Sequence, residues 1–280
     1  MPTPRITTSD LTGRTVVVTG AGSGIGRELA LLSARRGAGL ALCDIDEQGL
    51  AEAAGRIRAM GREVFTQRVD VARAADMDAF AAGALDRFGP ADLLVNNAGV
   101  GLLGGFLDTG AEDWDRLVSI NLMGVVHGCS AFLPAMIERG RGGHVVNLSS
   151  TAGILANAQL SAYSATKFAV FGLSEAMRLE MRPHGIGVTA VCPGVINTNI
   201  TRSTPIRGGG DVDKRREHLT AVYSKRGYTP DRVARNILRA VDRNKPVAPI
   251  AAEAHLSYWL SRMVPPAGRW FSGRLAAMAE

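Results

Sequence analysis

Short apolar runs alternate along this chain with longer stretches in which apolar positions recur every three or four residues. The short runs, at 15–19, 40–43, 64–68, 93–95, 144–148, 187–192 and 247–250, are rich in Val and Leu and predict strands. The longer stretches, near 24–37, 46–60, 73–88, 112–139, 161–182 and 230–243, predict helices. Strands rich in Val and Leu, each followed by a helix, imply a parallel sheet covered on both faces. With right-handed crossovers the expected fold is α/β, a doubly wound parallel sheet of about seven strands.

No linker or composition break is visible before about residue 200, so residues 1–280 are expected to form a single domain. Its least patterned parts are about 199–228 and a C-terminal extension at about 251–280. Two helices are apolar over more than one face. The stretch 112–139 carries Leu117, Val118, Ile120, Met123, Val125 and Val126, and 161–182 carries Phe168, Val170, Phe171, Leu173 and Met177. One stripe suffices to cover a sheet, so the surplus predicts a second copy of the chain, as a homodimer or homotetramer.

Composition narrows the classes. Apolar residues make up 46% and charged residues 21% of the 280, the balance of an ordinary globular protein. Cys43, Cys129 and Cys192 lie inside apolar runs without Cys-x-x-Cys or Cys/His clustering, which fits reduced thiols in a cytoplasmic protein and no metal site. Residues 1–14 lack the apolar core of a signal peptide, and no uninterrupted run approaches the ~18–20 apolar residues of a membrane span. The net charge of +6 comes mostly from scattered Arg, so nucleic acid is not the expected partner, and an anionic cofactor suits the charge better.

The first strand runs straight into Thr19-Gly20-Ala-Gly-Ser23-Gly24-Ile25-Gly26, which opens the first helix. Glycines there permit positive φ and let the backbone approach a pyrophosphate seated on helix N-terminal N–H groups, as in a Rossmann-type dinucleotide site. The second strand ends at Asp44, eighteen residues beyond Gly26. A carboxylate there accepts from ribose hydroxyls and repels a 2′-phosphate, and no basic residue stands beside it in the sequence, so NAD(H) is favoured over NADP(H). Capping of the next helix is the plainer role for such an acid, and Asp46 is better placed for it. Asp70, after the third strand, either meets the adenine edge or caps a helix.

Tyr163 and Lys167 lie four residues apart on a predicted helix, so phenol and ammonium share one face. Bringing a phenol from its usual pH ~10 into the neutral range takes roughly 3–4 kcal/mol of preferential stabilisation of the phenolate, which a fixed cation helps to provide. A Tyr-x-x-x-Lys pair is common on helix surfaces, so the rest of the chain decides its meaning. Asn121 is a second oddity, because Asn is a poor residue inside an apolar helix.

Taken together, Thr19-Gly20-x-x-x-Gly24-x-Gly26, Asp70-Val71, Asn96-Asn97-Ala98-Gly99, Asn121, Ser150, Tyr163-x-x-x-Lys167 and Pro193-Gly194 resemble, in order and spacing, the short-chain dehydrogenase/reductase superfamily in its short form. The resemblance runs from about residue 13 to 200. It implies a catalytic set of Asn121, Ser150, Tyr163 and Lys167. Tyr163 would be general acid/base, Ser150 would hold the reacting oxygen, and Lys167 would favour the phenolate and bind the nicotinamide ribose. Asn121 would anchor a proton-relaying water. It also implies cofactor contacts from Gly20, Ser23, Gly24, Ile25, Gly26, Asp44, Asp70 and Val71. Asn97, Ala98 and Gly99 would form the turn against the adenosine ribose. Pro193, Gly194, Ile196 and Thr198 would meet the carboxamide and pyrophosphate. Ser149 matches less well, and satisfying backbone at the strand end is its expected role.

The implied activity is NAD(H)-dependent interconversion of a secondary alcohol and a ketone, with a hydrophobic substrate expected. An NAD-binding regulatory or redox-sensing protein on the same fold is the alternative, against which the retained Tyr163 and Lys167 argue. Gly208-Gly209-Gly210 reads as the hinge of a lid or as part of a surface loop. The extension, with Leu256, Tyr258, Trp259, Leu260, Met263, Val264, Trp270 and Phe271, leaves a pocket wall, a subunit contact and peripheral membrane association all open. Pro265-Pro266 splits it, and integral insertion is not expected.

Overall fold

A computed structural model describes residues 6–196 and 204–266. Strand β1 (Thr15–Thr19) is buried at all five positions, because its neighbours cover it on both faces. It pairs in parallel with β2 (Gly39–Asp44) and β4 (Leu93–Asn96). β3 (Val64–Arg68) extends the sheet beyond β2, and β5 (Gly143–Leu148), β6 (Ile186–Pro193) and β7 (Val247–Ile250) extend it beyond β4. The order β3-β2-β1-β4-β5-β6-β7 makes a seven-stranded parallel sheet. The order reverses between β1 and β4, so a crevice opens beyond their C-terminal ends.

Alternation along each strand divides the apolar residues between two cores. Val16, Val18, Leu40, Leu42, Leu93, Val95 and Val146 face α1 (Gly24–Arg35), α2 (Glu47–Arg58) and α8 (Pro230–Asp242). Val17, Ala41, Cys43, Leu94, Val145 and Val188 face α3 (Ala74–Phe88), α5 (Gly124–Glu138) and α6 (Ser161–Met181). Each fully buried Val or Leu stabilises the fold by about 1.5–3 kcal/mol relative to exposure. Helix α8 shows how little is needed to recruit an element: Pro230 starts it, and Val233, Ala234, Ile237, Leu238 and Val241 form the one stripe that meets α1.

The expected helix at 112–139 is α4 (Ala111–Leu117) joined to α5 through a π-helical turn, Val118–Met123. This whole stretch, Ala111–Glu138, is long and apolar enough to cross a membrane by length and composition, although its sequence has no uninterrupted apolar run of that length. Here it packs along α3 and β4. The apolar surplus read from the sequence divides: Leu117, Val125, Val170, Phe171 and Met177 are buried, whereas Val118, Met123 and Phe168 are exposed. Within the stretch read as a lid, α7 (Val212–Arg226) is a helix that the sequence pattern did not predict, since its charged residues form no apolar stripe. Part of the lid, Thr198, Trp270 and Phe271 lie outside the described residues. The extension contributes α9 (Ala252–Met263), which ends just before the two prolines.

Candidate active site

The site assembles at the crevice, beginning with the turn after β1. Gly20 has φ +65 and Gly24 φ +53, both in the left-handed region that glycine tolerates. Gly26 is required for a different reason: a Cβ there would lie 2.2 Å from Gly20 O, so the helix approaches the turn only without one. Among the described residues Ser23 makes no side-chain cap, and the first turn of α1 holds no acidic residue. The N–H groups at that end are therefore left to an anion. Ile25 sits half-buried against the core and anchors the turn.

Two side chains brace this turn. Asn97 Nδ2 donates to Thr19 O (2.8 Å) and Gly20 O (3.0 Å), while Thr19 Oγ1 accepts from Asn97 N and Ala98 N at 3.0 Å each. Asp44 Oδ2 accepts the Gly22 N–H at 2.7 Å and Oδ1 accepts the Asp46 N–H at 3.0 Å. Asp46 caps α2 by accepting from Gly49 N, as its position suggested. The expectation that no basic residue stands beside Asp44 is corrected by the sheet: Arg68 of β3 is its register partner. Arg68 Nε lies 3.9 Å from Glu47 Oε1. Asp70 closes a turn ahead of α3 by accepting from Ala72 N (3.0 Å), while Arg73 occupies the cap position. Val71 is buried against Gly124, and its carbonyl meets His127 Nδ1 at 2.9 Å.

The other half centres on α6. Lys167 is buried and donates through Nζ to Leu148 O at 2.9 Å. Its ammonium lies 5.7 Å from the centroid of the half-buried Tyr163 ring. Burial pushes the Lys167 pKa down to about 8. A Cβ placed on Gly99 would lie 3.1 Å from Asn121 Oδ1 and 3.4 Å from Lys167 Nζ, so Gly99, Asn121 and Lys167 crowd one spot. The π turn accounts for Asn121. One extra residue per turn swings its amide against the loop after β4, where Oδ1 accepts Val100 N–H (2.8 Å) and Nδ2 donates to Val100 O (3.0 Å). The same Nδ2 donates to Thr166 Oγ1 at 3.2 Å, tying the turn to α6.

Ser150 caps the short 3₁₀ turn Thr151–Gly153, accepting from Ala152 N at 3.1 Å. Ser149 points inward and donates to Lys167 O (2.8 Å), the backbone role expected of it. Pro193 O accepts from Thr151 Oγ1 at 3.0 Å, Gly194 N–H donates to Ile250 O at 2.9 Å, and Ile196 is buried. Tyr163 packs against an apolar cluster of Leu102, Leu117 and Ala162, against which Val100 and Trp114 also pack.

Some of these contacts escaped the sequence reading. Asn96 Nδ2 donates to Asn147 Oδ1 (2.9 Å), and Asn147 Nδ2 to Ser174 Oγ (3.0 Å), a buried strut joining β4, β5 and α6. Val195 N–H donates to Glu253 of α9. Two asparagines inside largely apolar strands, Asn96 and Asn147, were the available signal for the first. Nothing local signals the second.

The cradle that a Cβ would fill, an uncapped helix N-terminus and a carboxylate at the end of β2 together fit a dinucleotide. Known proteins agree. The oxidoreductase described as "Probable oxidoreductase EphD" of Mycobacterium tuberculosis is 45% identical over 258 residues, 91% of this chain and 44% of that protein. The chain thus spans less than half the length of that relative. A short chain dehydrogenase/reductase of Burkholderia phymatum, solved in complex with NAD, is 33% identical, with a TM-score of 0.81 over 89% of this chain and 92% of its own. A short chain dehydrogenase of Mycobacterium paratuberculosis, bound to NAD, is 26% identical, with a TM-score of 0.75 over 86% of this chain and 97% of its own. The family model described as short chain dehydrogenase matches residues 14–207, and with the parallel sheet and the glycine turn this places the chain in the short-chain dehydrogenase/reductase family of oxidoreductases.

Proposed function

We propose that this chain is an NAD(H)-dependent oxidoreductase interconverting a secondary alcohol and a ketone, with Tyr163 as general acid/base. The observation that carries this reading is the convergence of Lys167, Asn121 and Gly99 on one spot, with the Tyr163 ring centroid 5.7 Å from the Lys167 ammonium. The nicotinamide, when bound, supplies or accepts the hydride. The residues of the chain handle the proton. Tyr163 Oη gives it to the carbonyl oxygen in reduction and takes it from the hydroxyl in oxidation. Lys167, one helical turn along, favours the phenolate and offers donors to the ribose. Phenolate and ammonium support each other, since each charge lowers the cost of holding the other in a buried place. The Ser150 hydroxyl already accepts the Ala152 N–H, which leaves its O–H to be donated to the reacting oxygen. Asn121, locked to Val100 and Thr166, anchors the water that relays the proton.

Preference for NAD(H) is supported by Asp44, whose charge at the end of β2 disfavours a 2′-phosphate, and by the nearness of Glu47 to Arg68. A hydrophobic substrate is supported by Val100, Leu102 and Trp114 around Tyr163. Phe106 and Leu107 stand exposed farther along the same loop, and Phe106 meets Trp114 edge-on. The exposed Val118, Met123 and Phe168 support a homodimer or homotetramer, and three buried free cysteines suit the cytoplasm. We read the chain as one catalytic unit whose lid includes α7. Peripheral contact of α9 with a membrane stays compatible with catalysis. Tyr163→Phe tests the central assignment: turnover is expected to vanish while NADH binding stays near that of the unmutated protein, and full turnover in the variant would overturn it.

A further inference from the structure

The backbone leaving β6 is pinned from three directions. Pro193 O accepts from Thr151, next to Ser150, and Gly194 N–H donates to Ile250 O at the end of β7. Val195 N–H donates to Glu253 Oε1 at 2.9 Å, across 58 residues of chain. The carboxylate comes very close, since a Cβ on Gly194 would lie 2.4 Å from that same oxygen. Its helix is delivered by an unusual backbone. Ala251, buried between β7 and α9, has φ +83 and ψ 157, a conformation that suits glycine and is strained for alanine. Such strain persists where surrounding contacts over-determine it, here the sheet edge on one side and the buried Ala254 and Ser257 of α9 on the other. Glu253 lies in the first turn of α9, where the helix dipole also favours a carboxylate.

Resting on the reading above, in which Pro193 and Gly194 serve the nicotinamide half of the cofactor, we infer that Glu253 is a positioning residue for that half. Its hydrogen bond holds the Gly194–Val195 backbone where the cofactor meets it, so the C-terminal helix sets cofactor geometry without touching the reacting atoms. The motif residues of this family resemblance do not include it, and its signal is purely tertiary.

The test compares Glu253→Ala with Glu253→Gln, which keeps an acceptor of the same reach. In the cofactor-free protein, Glu253→Ala is expected to speed amide hydrogen exchange at Val195 by about tenfold, and Glu253→Gln to leave it within about threefold. Glu253→Ala should weaken NADH binding by about tenfold while 5′-AMP, which reaches only the glycine-turn half, binds within about twofold of the unmutated protein. Unchanged exchange and NADH affinity in Glu253→Ala would overturn the proposal. So would equal weakening of NADH and 5′-AMP, the mark of a general structural defect. A Glu253→Gln variant as weak as Glu253→Ala would overturn it too, since the charge and not the hydrogen bond would then matter. If the unmutated chain bound neither NADH nor NADPH, the functional reading itself would fall, and this inference with it.

Discussion

Lys167 donates its ammonium to the carbonyl of Leu148 at 2.9 Å, and that bond is what keeps a buried cation within 5.7 Å of the Tyr163 ring centre. The arrangement is costly. Burial lowers the Lys167 pKa from 10.5 to about 8, so below pH 8 the fold carries the full burden of a desolvated charge, about 3 kcal/mol. Between pH 8 and 10.5 the folded chain sheds the proton while the unfolded chain keeps it, and the burden lifts as pH rises.

Lys167→Met should therefore separate stability from activity. The variant loses the charge and strands the Leu148 carbonyl, a loss of about 1–3 kcal/mol that offsets most of the gain. Urea unfolding at pH 7 is expected to give a stability equal to that of the unmutated protein or up to about 2 kcal/mol higher, with turnover reduced by about two to four orders of magnitude. The advantage over the unmutated protein should fade as pH is raised from 8 towards 10.5. A variant destabilised by several kcal/mol at pH 7 would mean that the ammonium contributes net stability in its buried setting.

Two helical glycines, each followed by Arg, should respond in opposite directions. Gly26→Ala drives a methyl to 2.2 Å from Gly20 O and 2.5 Å from Asn97 Nδ2, so the turn must open. Loss of cofactor binding and destabilisation of about 2 kcal/mol or more are expected, readable by NADH titration and thermal unfolding. Gly55→Ala, on an exposed position of α2 with nothing within 4 Å of the new methyl, should stabilise by roughly 0.5–1 kcal/mol. Equal behaviour of the two would contradict the close approach at Gly26.

What could be read from residues alone follows from where physical constraints are local. Strands buried on both faces are largely apolar, so the strands were visible as short apolar runs with ends matching or displaced by one residue, although the half-buried edge strand β3 carries Thr66, Gln67 and Arg68. Glycine turn, Tyr163 and Lys167 were visible because a backbone approach and a helical face each demand fixed spacing. Helix α7 was hidden, since charged residues such as Lys214, Arg215 and Arg216 carry no apolar period. The π turn left only an indirect trace, an asparagine in an apolar helix. The bracing of the glycine turn by Asn97 and Asp44 depends on contacts across 77 and 22 residues that no spacing encodes. Arg68 reached Asp44 through strand pairing, and Glu253 reached Val195 through the path of the C-terminal helix.

Asp44 combines a structural bond with the proposed cofactor preference, and two substitutions separate them. Asp44→Asn keeps an acceptor for the Gly22 N–H but removes the charge. Measured dissociation constants should show NADPH gaining on NADH by about tenfold or more, as the like-charge penalty disappears. Asp44→Ala removes the brace as well, so both cofactors should bind more weakly. An unchanged NADH-to-NADPH ratio in Asp44→Asn would assign the preference to residues other than Asp44.

His144 should govern much of the acid sensitivity of the fold. It is buried on β5, with Nε2 at 2.8 Å from Thr189 Oγ1, and the Thr189 hydroxyl donates to Lys245 O at 2.6 Å. Because that hydroxyl is already a donor, it must accept from His144, which fixes the neutral tautomer with its proton on Nε2. The other nitrogen lies against Gly187, where a Cβ would stand 2.5 Å from it and 2.6 Å from Asn244 Oδ1. Burial, with a smaller contribution from the Arg178 charge, lowers the His144 pKa to about 3. The unfolded chain takes up this proton near pH 6.5 and the folded chain only near pH 3, so stability falls with falling pH across that window, by about 1.4 kcal/mol per pH unit. His144→Leu removes the titrating group while leaving Thr189 bonded to Lys245. Its unfolding free energy from urea titrations between pH 6 and pH 4 should fall less steeply than that of the unmutated protein, by about one proton's worth of slope. Parallel pH dependences in the two proteins would show that the folded state accommodates a charged imidazole at this position despite its burial and the nearby Arg178 charge.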